Sequence, residues 1–371
     1  MRRALAIAFV LAAGPAVAAD LGPGLFDVDQ RRAELQRPDY EAVRAACLAV
    51  AVEDALPLPE PVAALSPTDD YGTDHASQDF AWSVMVLGGR SLAGDADATA
   101  LLVEALTGWA TAGALEQTPT HYDPFFALKR TLLPTIVSYR IAADSLTPAQ
   151  DALVRGWLDG LVRRIDATFD GDVDRNNHRY LADLVLMTWG SVVGDDALYA
   201  KGEARYATAL GQARADGSLP LESRRGARAL WYSNIATGEL STMAQVARAA
   251  GRDLAATEVD GRGHDLLLGF LVDALETPGL VLPYAVENTI PGPGDDYRDQ
   301  DFGFTEPRGH GRHYMAWTEA LLAQPADTPA RARLAGYFAA TLAAARPLID
   351  EYAGGNATCF WMRPAAALPG Q

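Results

Sequence analysis

Apolar residues recur along most of this chain at the three- and four-residue spacing of amphipathic α-helices. Thr147 and Gln150 have the spacing of a capping box, and Pro148 suits the first helical position. The apolar positions that follow repeat every four residues: Leu153, Trp157, Leu161 and Ile165. We therefore predict an amphipathic helix that buries these four side chains.

The same periodicity predicts helices throughout the chain, whereas the two-residue alternation of strands is scarce. One helix follows Asn177 and His178 and would bury Leu181, Leu184, Val185, Thr188 and Trp189. Further helices are predicted over residues 98–112, 126–143, 196–214, 228–249, 264–275, 313–323 and 329–352. So many helices favour an all-α fold of layered hairpins, either a closed ring or an open solenoid. No fixed repeat is present, which disfavours the common solenoids.

The composition of the chain also predicts where the protein is located and how many domains it has. Residues 1–19 combine Arg2 and Arg3, a short apolar run and small residues before Asp20, as in a cleaved signal peptide. The alternative is that this N-terminal segment is retained as a membrane anchor. No later stretch approaches the length of a membrane span. We expect a periplasmic or secreted protein without membrane insertion, with residues 20–371 forming one domain because no linker-like segment divides them.

The net charge and the positions of the cysteines and histidines limit which ligands and partners the protein can bind. The net charge of -17 disfavours nucleic acid, and an anionic polysaccharide would need a local basic groove. Cys47 and Cys359 permit a disulfide in an exported chain, although sequence does not show whether they meet. The histidines form no HExxH motif, and His310 and His313 lack an evident third ligand, so we predict neither a metal nor another cofactor.

Two clusters of polar residues precede predicted helices. If residues 225–232 are helical, Arg225, Arg228 and Tyr232 share one face, and the guanidiniums would stabilise a tyrosine phenolate. Asn177 and His178 would lie where a helix begins and free main-chain N–H groups point outward. Amide, imidazole, guanidinium and phenol together suit β-elimination from a uronic acid polymer, because they can neutralise a carboxylate and move protons.

Each of these residues also has a simpler interpretation. Arginines on a helix usually face solvent or pair with carboxylates, and Tyr232 could be an aromatic at the edge of the core. Asn177 could cap the helix, and His178 could be a structural hydrogen-bond partner. It is the combination that favours a catalytic site.

Residues 176–254 resemble the central part of bacterial poly(mannuronate) lyases, the alginate lyases of polysaccharide lyase family five. In that family an Asn-Asn-His motif opens a helix, then come Gly-x-Leu-Pro-x-Glu and an arginine-rich turn that ends Ala-Leu-x-Tyr-x-Asn. The corresponding motifs here are Asn176-Asn177-His178, Gly217-Ser218-Leu219-Pro220-Leu221-Glu222 and, after Arg225, Ala229-Leu230-Trp231-Tyr232-Ser233-Asn234. Residues 314–319 are similar to a C-terminal segment of the family.

The resemblance implies an (α/α) toroid with a deep groove, no metal, and an anionic polysaccharide as substrate. Asn177 and Arg225 would neutralise the uronate carboxylate. His178 would act as base or share that neutralisation, and Tyr232 would protonate the leaving oxygen or serve as base for one epimer. The substrate-binding residues would be Tyr71, Arg179, Arg228 and Asn234.

This chain departs from the family pattern at several positions. The family's lid carries a Lys-Tyr pair, which corresponds here to Asp70 and Tyr71, and an aspartate would repel a polyanion. Arg179, Leu181 and Ser233 also differ from the usual family residues. These departures leave the reaction better supported than the substrate.

Three functions are compatible with these observations. The favoured one is an exported lyase that acts on mannuronate-rich alginate or a related uronan such as glucuronan. A non-catalytic polysaccharide-binding protein of an export system is the second. The third is a helical-toroid glycoside hydrolase, which would need two carboxylates across the groove.

Overall fold

The computed structural model describes residues 21–66, 75–120, 122–168, 176–288 and 296–364. Residues 1–19, predicted to be a signal peptide, lie outside the described part of the chain. The described residues form these α-helices: α1 Val28–Leu35, α2 Glu41–Cys47, α3 His75–Leu92, α4 Ala96–Thr111, α5 Tyr122–Ala142, α6 Pro148–Thr168, α7 Asn177–Val193, α8 Asp196–Gln212, α9 Pro220–Ser223, α10 Ala229–Ala249, α11 His264–Glu276, α12 Leu282–Ala285, α13 Thr318–Leu322, α14 Pro329–Thr341 and α15 Ala357–Trp361.

Two layers of helices make up most of the fold. The inner helices α3, α5, α7 and α10 are buried along most of their length, and each packs against the next in this order. Each is followed by an amphipathic helix on its outer side: α4, α6, α8 or α11. This alternation is an (α/α) toroid, and the all-α prediction is confirmed. None of the described helices is both long and apolar enough to cross a membrane.

Local sequence explains how two helices that support the site begin. Thr147 Oγ1 accepts from the Gln150 amide while Gln150 Oε1 accepts from the Thr147 amide, so the predicted capping box forms at the start of α6. At the start of α7, Asn176 Oδ1 accepts from the His178 amide at 3.2 Å. The cap is thus Asn176, which leaves the Asn177 side chain available for another role.

Most predicted helices are confirmed within a few residues, but three details are wrong. The predicted helix over residues 313–323 begins only at Thr318, and that over 329–352 ends at Thr341. Pro347 explains why this helix cannot continue to residue 352, because the residue before a proline avoids the helical region. In α6, Leu153 is 40% exposed, and the buried row includes Val154 and Leu158 instead.

The C-terminal segment packs into the inner layer. Strands β1 Glu258–Val259 and β2 Arg262–Gly263 pair as a short hairpin, as do β3 Ile349–Asp350 and β4 Gly355–Asn356. The second hairpin and its turn contact α3, α5 and α10. Cys47 and Cys359 form a disulfide with a Cα–Cα distance of 4.8 Å, which joins α2 to α15. The possibility left open by the sequence is thereby decided in favour of the bond.

We predict that the Cys47→Ser/Cys359→Ser double variant is markedly less stable than the parent chain. The bond closes a loop with a sequence separation of 312, and the loop-entropy argument gives a loss of about 6 kcal/mol as an upper value. Urea unfolding with and without a thiol reductant measures it. The reductant should shift the midpoint of the parent and leave that of the double variant unchanged. Equal midpoints for both proteins without reductant would contradict the prediction.

Candidate active site

The N-terminal ends of three consecutive inner helices meet at one place. Phe126, in the first turn or two of α5, stacks on the ring of His178 at the start of α7, with 4.1 Å between ring centroids. The main-chain amide of Asn177 donates to Glu222, just ahead of α10, at 2.7 Å. Helix N-termini carry partial positive charge, so this end of the toroid favours an anion.

Asn177 is fully buried, but its side-chain amide is unsatisfied. Neither Oδ1 nor Nδ2 has a hydrogen-bond partner among the described residues. A buried amide without partners is costly, by about 1 to 3 kcal/mol, unless a ligand or water completes it. Its position beside the imidazole of the next residue makes it a candidate ligand-binding group.

Glu222 connects α7 to the turn that carries the arginines. Its carboxyl is fully buried, and Oε2 has no partner among the described residues. Burial raises the pKa of Glu222 to about 7, although the Asn177 N–H and the nearby Arg225 both act to lower it. Glu222 belongs to the quoted Gly-x-Leu-Pro-x-Glu motif, but the sequence did not indicate its contact.

His178 is held as a neutral imidazole. Desolvation, the ammonium of Lys129 and the guanidinium of Arg225 all hold the pKa of His178 well below its usual value. A neutral imidazole has a nitrogen lone pair free to accept a proton. This state is the one that a general base needs at neutral pH.

Arg225 and Tyr232 are in contact, but they do not lie on one face of a helix as predicted. The α-helix begins only at Ala229, and Arg225 precedes a 3-10 turn over Gly226–Arg228. Gly226 has a φ of +57°, so the chain reverses there in a conformation that suits glycine. The Arg225 guanidinium consequently lies over the Tyr232 ring, 3.8 Å from its centroid.

Arg228 takes another direction and pairs with Asp301 at 3.3 Å. The prediction that Arg225, Arg228 and Tyr232 share one helical face is therefore wrong. Arg228 also lies 5.3 Å from the centroid of the Trp231 ring. Its side chain is partly exposed, so its predicted contact with substrate stays a prediction.

Two predicted substrate-binding residues have internal partners instead. Arg179 is buried and forms an ion pair with Asp183, both within α7. Asn234 is fully buried, accepts from the Trp317 indole at 3.1 Å and donates to the main chain of Tyr314. These internal contacts suit a structural role, and the predicted contact of Arg179 and Asn234 with substrate stays a prediction. Tyr71 and Asp70 lie outside the described residues.

A second basic cluster, which the sequence did not reveal, lies on the Phe126 side of the site. Arg130, Arg308 and Arg312 all contact the carboxylate of Glu351, at 2.6, 2.6 and 2.5 Å. Burial raises the pKa of Glu351, but the three arginines outweigh burial and hold it well below its usual value. Asp350 takes a second contact from Arg308 at 2.8 Å. These arginines are far apart in sequence, so only the fold brings them together.

Aromatic rings connect the basic cluster to the site. The rings of His178, Phe126, Tyr352, Tyr314 and Trp231 follow one another, with centroid distances of 4.1 to 6.5 Å. The Arg308 guanidinium lies 3.8 Å from the centroid of Tyr314. Aromatic faces beside arginines are suited to a ligand with apolar ring faces and anionic groups.

The two neighbouring histidines do not converge. His310 Nε2 lies 3.0 Å from Asp79, whereas His313 is buried and its Nδ1 accepts from the Met315 amide. Within the described part of the chain, no three histidine, cysteine or acidic side chains come together as a metal site would require.

Sequence comparison now identifies the family. The profile of the family described as alginate lyase matches residues 31–280, more than half of the chain. This chain belongs to the alginate lyase family. A polysaccharide lyase of Stenotrophomonas maltophilia strain K279a is 33% identical over 196 residues, which are 51% of this chain and 56% of that protein. An alginate lyase of Pseudomonas syringae pv. syringae is 30% identical over 157 residues, 40% and 42% of the two chains. The chain thus spans about half of each relative.

Solved alginate lyases share the fold of this family member. A variant of alginate lyase A1-III in complex with a tetrasaccharide has a TM-score of 0.77 at 24% identity, over 95% of this chain and 98% of that one. A structure of alginate lyase A1-III from Sphingomonas species A1 gives 0.73 at 24% identity, over 95% and 100%. An alginate lyase from Bacteroides ovatus gives 0.63 at 16% identity, over 92% and 99%. These likenesses confirm the (α/α) toroid.

We predict that Glu222→Gln changes stability in a pH-dependent way. The pKa of Glu222 is about 7 in the folded protein and 4.5 is its ordinary value, so the unfolded chain loses this proton first as pH rises. Between these values the folded state binds more protons, and its stability falls with rising pH. Removing the titration should make the variant more stable relative to the parent at pH 8 than at pH 5, by up to about 3 kcal/mol.

Urea unfolding of both proteins at pH 5 and pH 8 measures this difference. Glu276→Gln, at an exposed position near the end of α11, is the matched control and should show no such trend. A constant difference between Glu222→Gln and the parent at both pH values would mean that Glu222 does not titrate in this window.

Proposed function

We propose that this protein is a polysaccharide lyase that cleaves mannuronate-rich alginate by β-elimination. The observation that carries the proposal is the Arg225 guanidinium stacked on the Tyr232 ring, next to the neutral His178 imidazole. Membership of the alginate lyase family supports it independently. An anionic polysaccharide is accordingly the proposed partner.

The proposed reaction needs groups that neutralise the uronate carboxylate, and it needs two proton transfers. Asn177 and Arg225 bind the carboxylate at C5 and reduce its negative charge, which makes the C5 proton more acidic. A base, His178 or Tyr232 depending on the epimer, takes that proton. The electron pair forms the C4–C5 double bond, the C4–O bond breaks, and Tyr232 protonates the leaving oxygen.

The geometry accounts for this division of roles. Asn177 has a buried amide whose donor and acceptor are both unsatisfied, as a group that binds a carboxylate and a hydroxyl requires. The Arg225 guanidinium lies over the face of the Tyr232 ring, so a positive charge and the phenol occupy the same part of the site. The arginine cluster around Glu351 and the aromatic row are suited to neighbouring sugar units.

The hydrolase alternative has less support. Inverting and retaining glycosidases need two carboxyl groups that reach the glycosidic bond. Glu222 contacts Asn177, and Glu239 interacts with Glu222, but both carboxyl groups are fully buried and the Glu222 carboxyl is already bonded to the main chain of Asn177. Their placement suits support of the site rather than attack on a substrate.

We also infer that the protein is exported to the periplasm or beyond. The Cys47–Cys359 disulfide supports this, because such bonds persist in oxidising compartments. The signal-like pattern of residues 1–19 supports it as well. Fractionation of the native host followed by N-terminal sequencing of the mature protein tests the inference.

We predict that the purified protein releases an unsaturated product from polymannuronate. Elimination conjugates the new C4–C5 double bond with the carboxylate, so the product absorbs in the near ultraviolet, whereas a hydrolysis product does not. Polymannuronate, polyguluronate, glucuronan and hyaluronan are compared in parallel for absorbance and for reducing ends. Absorbance only with glucuronan would change the substrate, and reducing ends without absorbance would indicate a hydrolase. Binding without either signal would indicate a non-catalytic protein.

We predict that Tyr232→Phe lowers turnover at least about a hundredfold, because it removes the proton donor. Polymer binding should change little, since the ring under Arg225 is retained. Absorbance kinetics and calorimetric titration separate the two effects. Tyr199→Phe is the matched control, because Tyr199 also has an arginine over its ring, Arg252 at 5.3 Å, but lies on the outer helix α8. Near-normal turnover by Tyr232→Phe would exclude the phenol as the acid.

A further inference from the structure

Lysine is rare in this chain, and one of its two lysines lies beneath the candidate site. Of the 31 basic residues, only Lys129 and Lys201 are lysines, and the rest are arginines. Lys201 is 43% exposed and pairs with Asp166 at 2.6 Å. Lys129 is 1% exposed and belongs to the inner helix α5. A buried lysine in a chain that otherwise uses arginine indicates a specific role.

Lys129 contacts the main chain of the catalytic pair. Its ammonium donates to the carbonyl oxygen of His178 at 2.8 Å. Phe126, one turn earlier on α5, stacks on the His178 ring, and Lys129 Nζ lies 5.5 Å from the centroid of Phe126. One face of α5 therefore holds both the main chain and the imidazole of His178.

Two buried ionisable side chains, one acidic and one basic, form hydrogen bonds to the main chain of adjacent residues. Glu222 accepts from the amide of Asn177, and Lys129 donates to the carbonyl of His178. A carboxylate suits the unpaired N–H of a helix N-terminus, and an ammonium suits a carbonyl oxygen. A compact ammonium reaches a single carbonyl without the planar fork of arginine, which needs more space and more acceptors.

We propose that Lys129 is a positioning residue of this site, which holds the first turn of α7 through the His178 carbonyl and places an ammonium group beside His178. The inference rests on the proposed lyase function. It adds a residue that does not touch the substrate but acts through His178. Its consequence is a base that stays neutral at lower pH than an ordinary histidine.

The charges around Lys129 and His178 support this role. Besides Lys129, Arg225 acts on His178 from the turn before α10, and Arg130 lies next along α5. Glu222 and Glu239 lie on the α10 side, and Asp183 is on α7. Burial raises the pKa values of Glu239 and Asp183, and Lys129 acts to lower both. Removing its charge therefore affects the imidazole and these two carboxyls together.

The test replaces Lys129 by methionine, which is similar in length and uncharged. We expect the acid limb of the kcat/KM profile to move to higher pH, because the imidazole is protonated more easily without the neighbouring ammonium. Lys129→Arg restores a charge and should return the limb towards its original position, even if kcat stays low. Lys201→Met is the matched control and should leave the profile unchanged. A limb that stays in place in a folded Lys129→Met protein would overturn the proposal.

Two NMR measurements make the test independent of turnover. In Lys129→Met, the His178 imidazole should titrate at higher pH than in the parent, and an unchanged titration would overturn the proposal. In the unaltered chain labelled with 15N-lysine there are only two ammonium signals, and Lys201→Met assigns them. The Lys129 signal should show slow hydrogen exchange. Two fast-exchanging signals would overturn the proposal even if Lys129→Met fails to fold. Failure of the lyase function would instead appear as a parent inactive on every uronan.

Discussion

The hydrogen bond from the main-chain N–H of Asn177 to the Glu222 carboxyl is the contact on which the site depends. It joins the start of α7 to the segment that leads into α10, across 45 residues of sequence. Asn177 and His178 stand on one side of it, and Arg225 and Tyr232 stand on the other. Because the carboxyl is fully buried, the bond is shielded from water and its geometry is well defined. The relative positions of all four groups follow from this bond and from the packing of α7 against α10.

The fold also explains how so acidic a protein could accept an anionic polymer. The net charge of -17 is a property of the whole surface, whereas the site lies where α5, α7 and α10 begin. There the helix N-termini and the Arg130, Arg308 and Arg312 cluster supply local positive potential. The Glu351 carboxylate holds these arginines together and cancels only part of their charge. Local arrangement, rather than overall charge, therefore decides which ligand can approach.

Sequence periodicity and caps predicted the helical layers and the start of α7, because both are local properties. The partners of buried charges were not predictable in this way. Lys129 lies within a predicted helix, but its burial depends on where α7 packs, and the acceptor is a main-chain carbonyl. Arg228 and Asp301 are distant in sequence, so their pairing depends on the loop that follows residue 296. The prediction that Arg225, Arg228 and Tyr232 share one helical face was wrong for a local reason. Gly226 has a positive φ, so the α-helix begins only at Ala229.

The three arginines of the turn before α10 differ in whether an acidic side chain pairs with them. Arg224 pairs with Glu287 at 2.6 Å and Arg228 pairs with Asp301 at 3.3 Å, so acidic partners neutralise both. Within the described residues, Arg225 has no carboxylate at ion-pair distance and instead lies over Tyr232. The acid that acts on it, Glu222, has a pKa of about 7 and is therefore only partly ionised near neutral pH. Of the three arginines in this turn, Arg225 is therefore the one that no described carboxylate contacts at ion-pair distance, so its guanidinium is available to a ligand carboxylate.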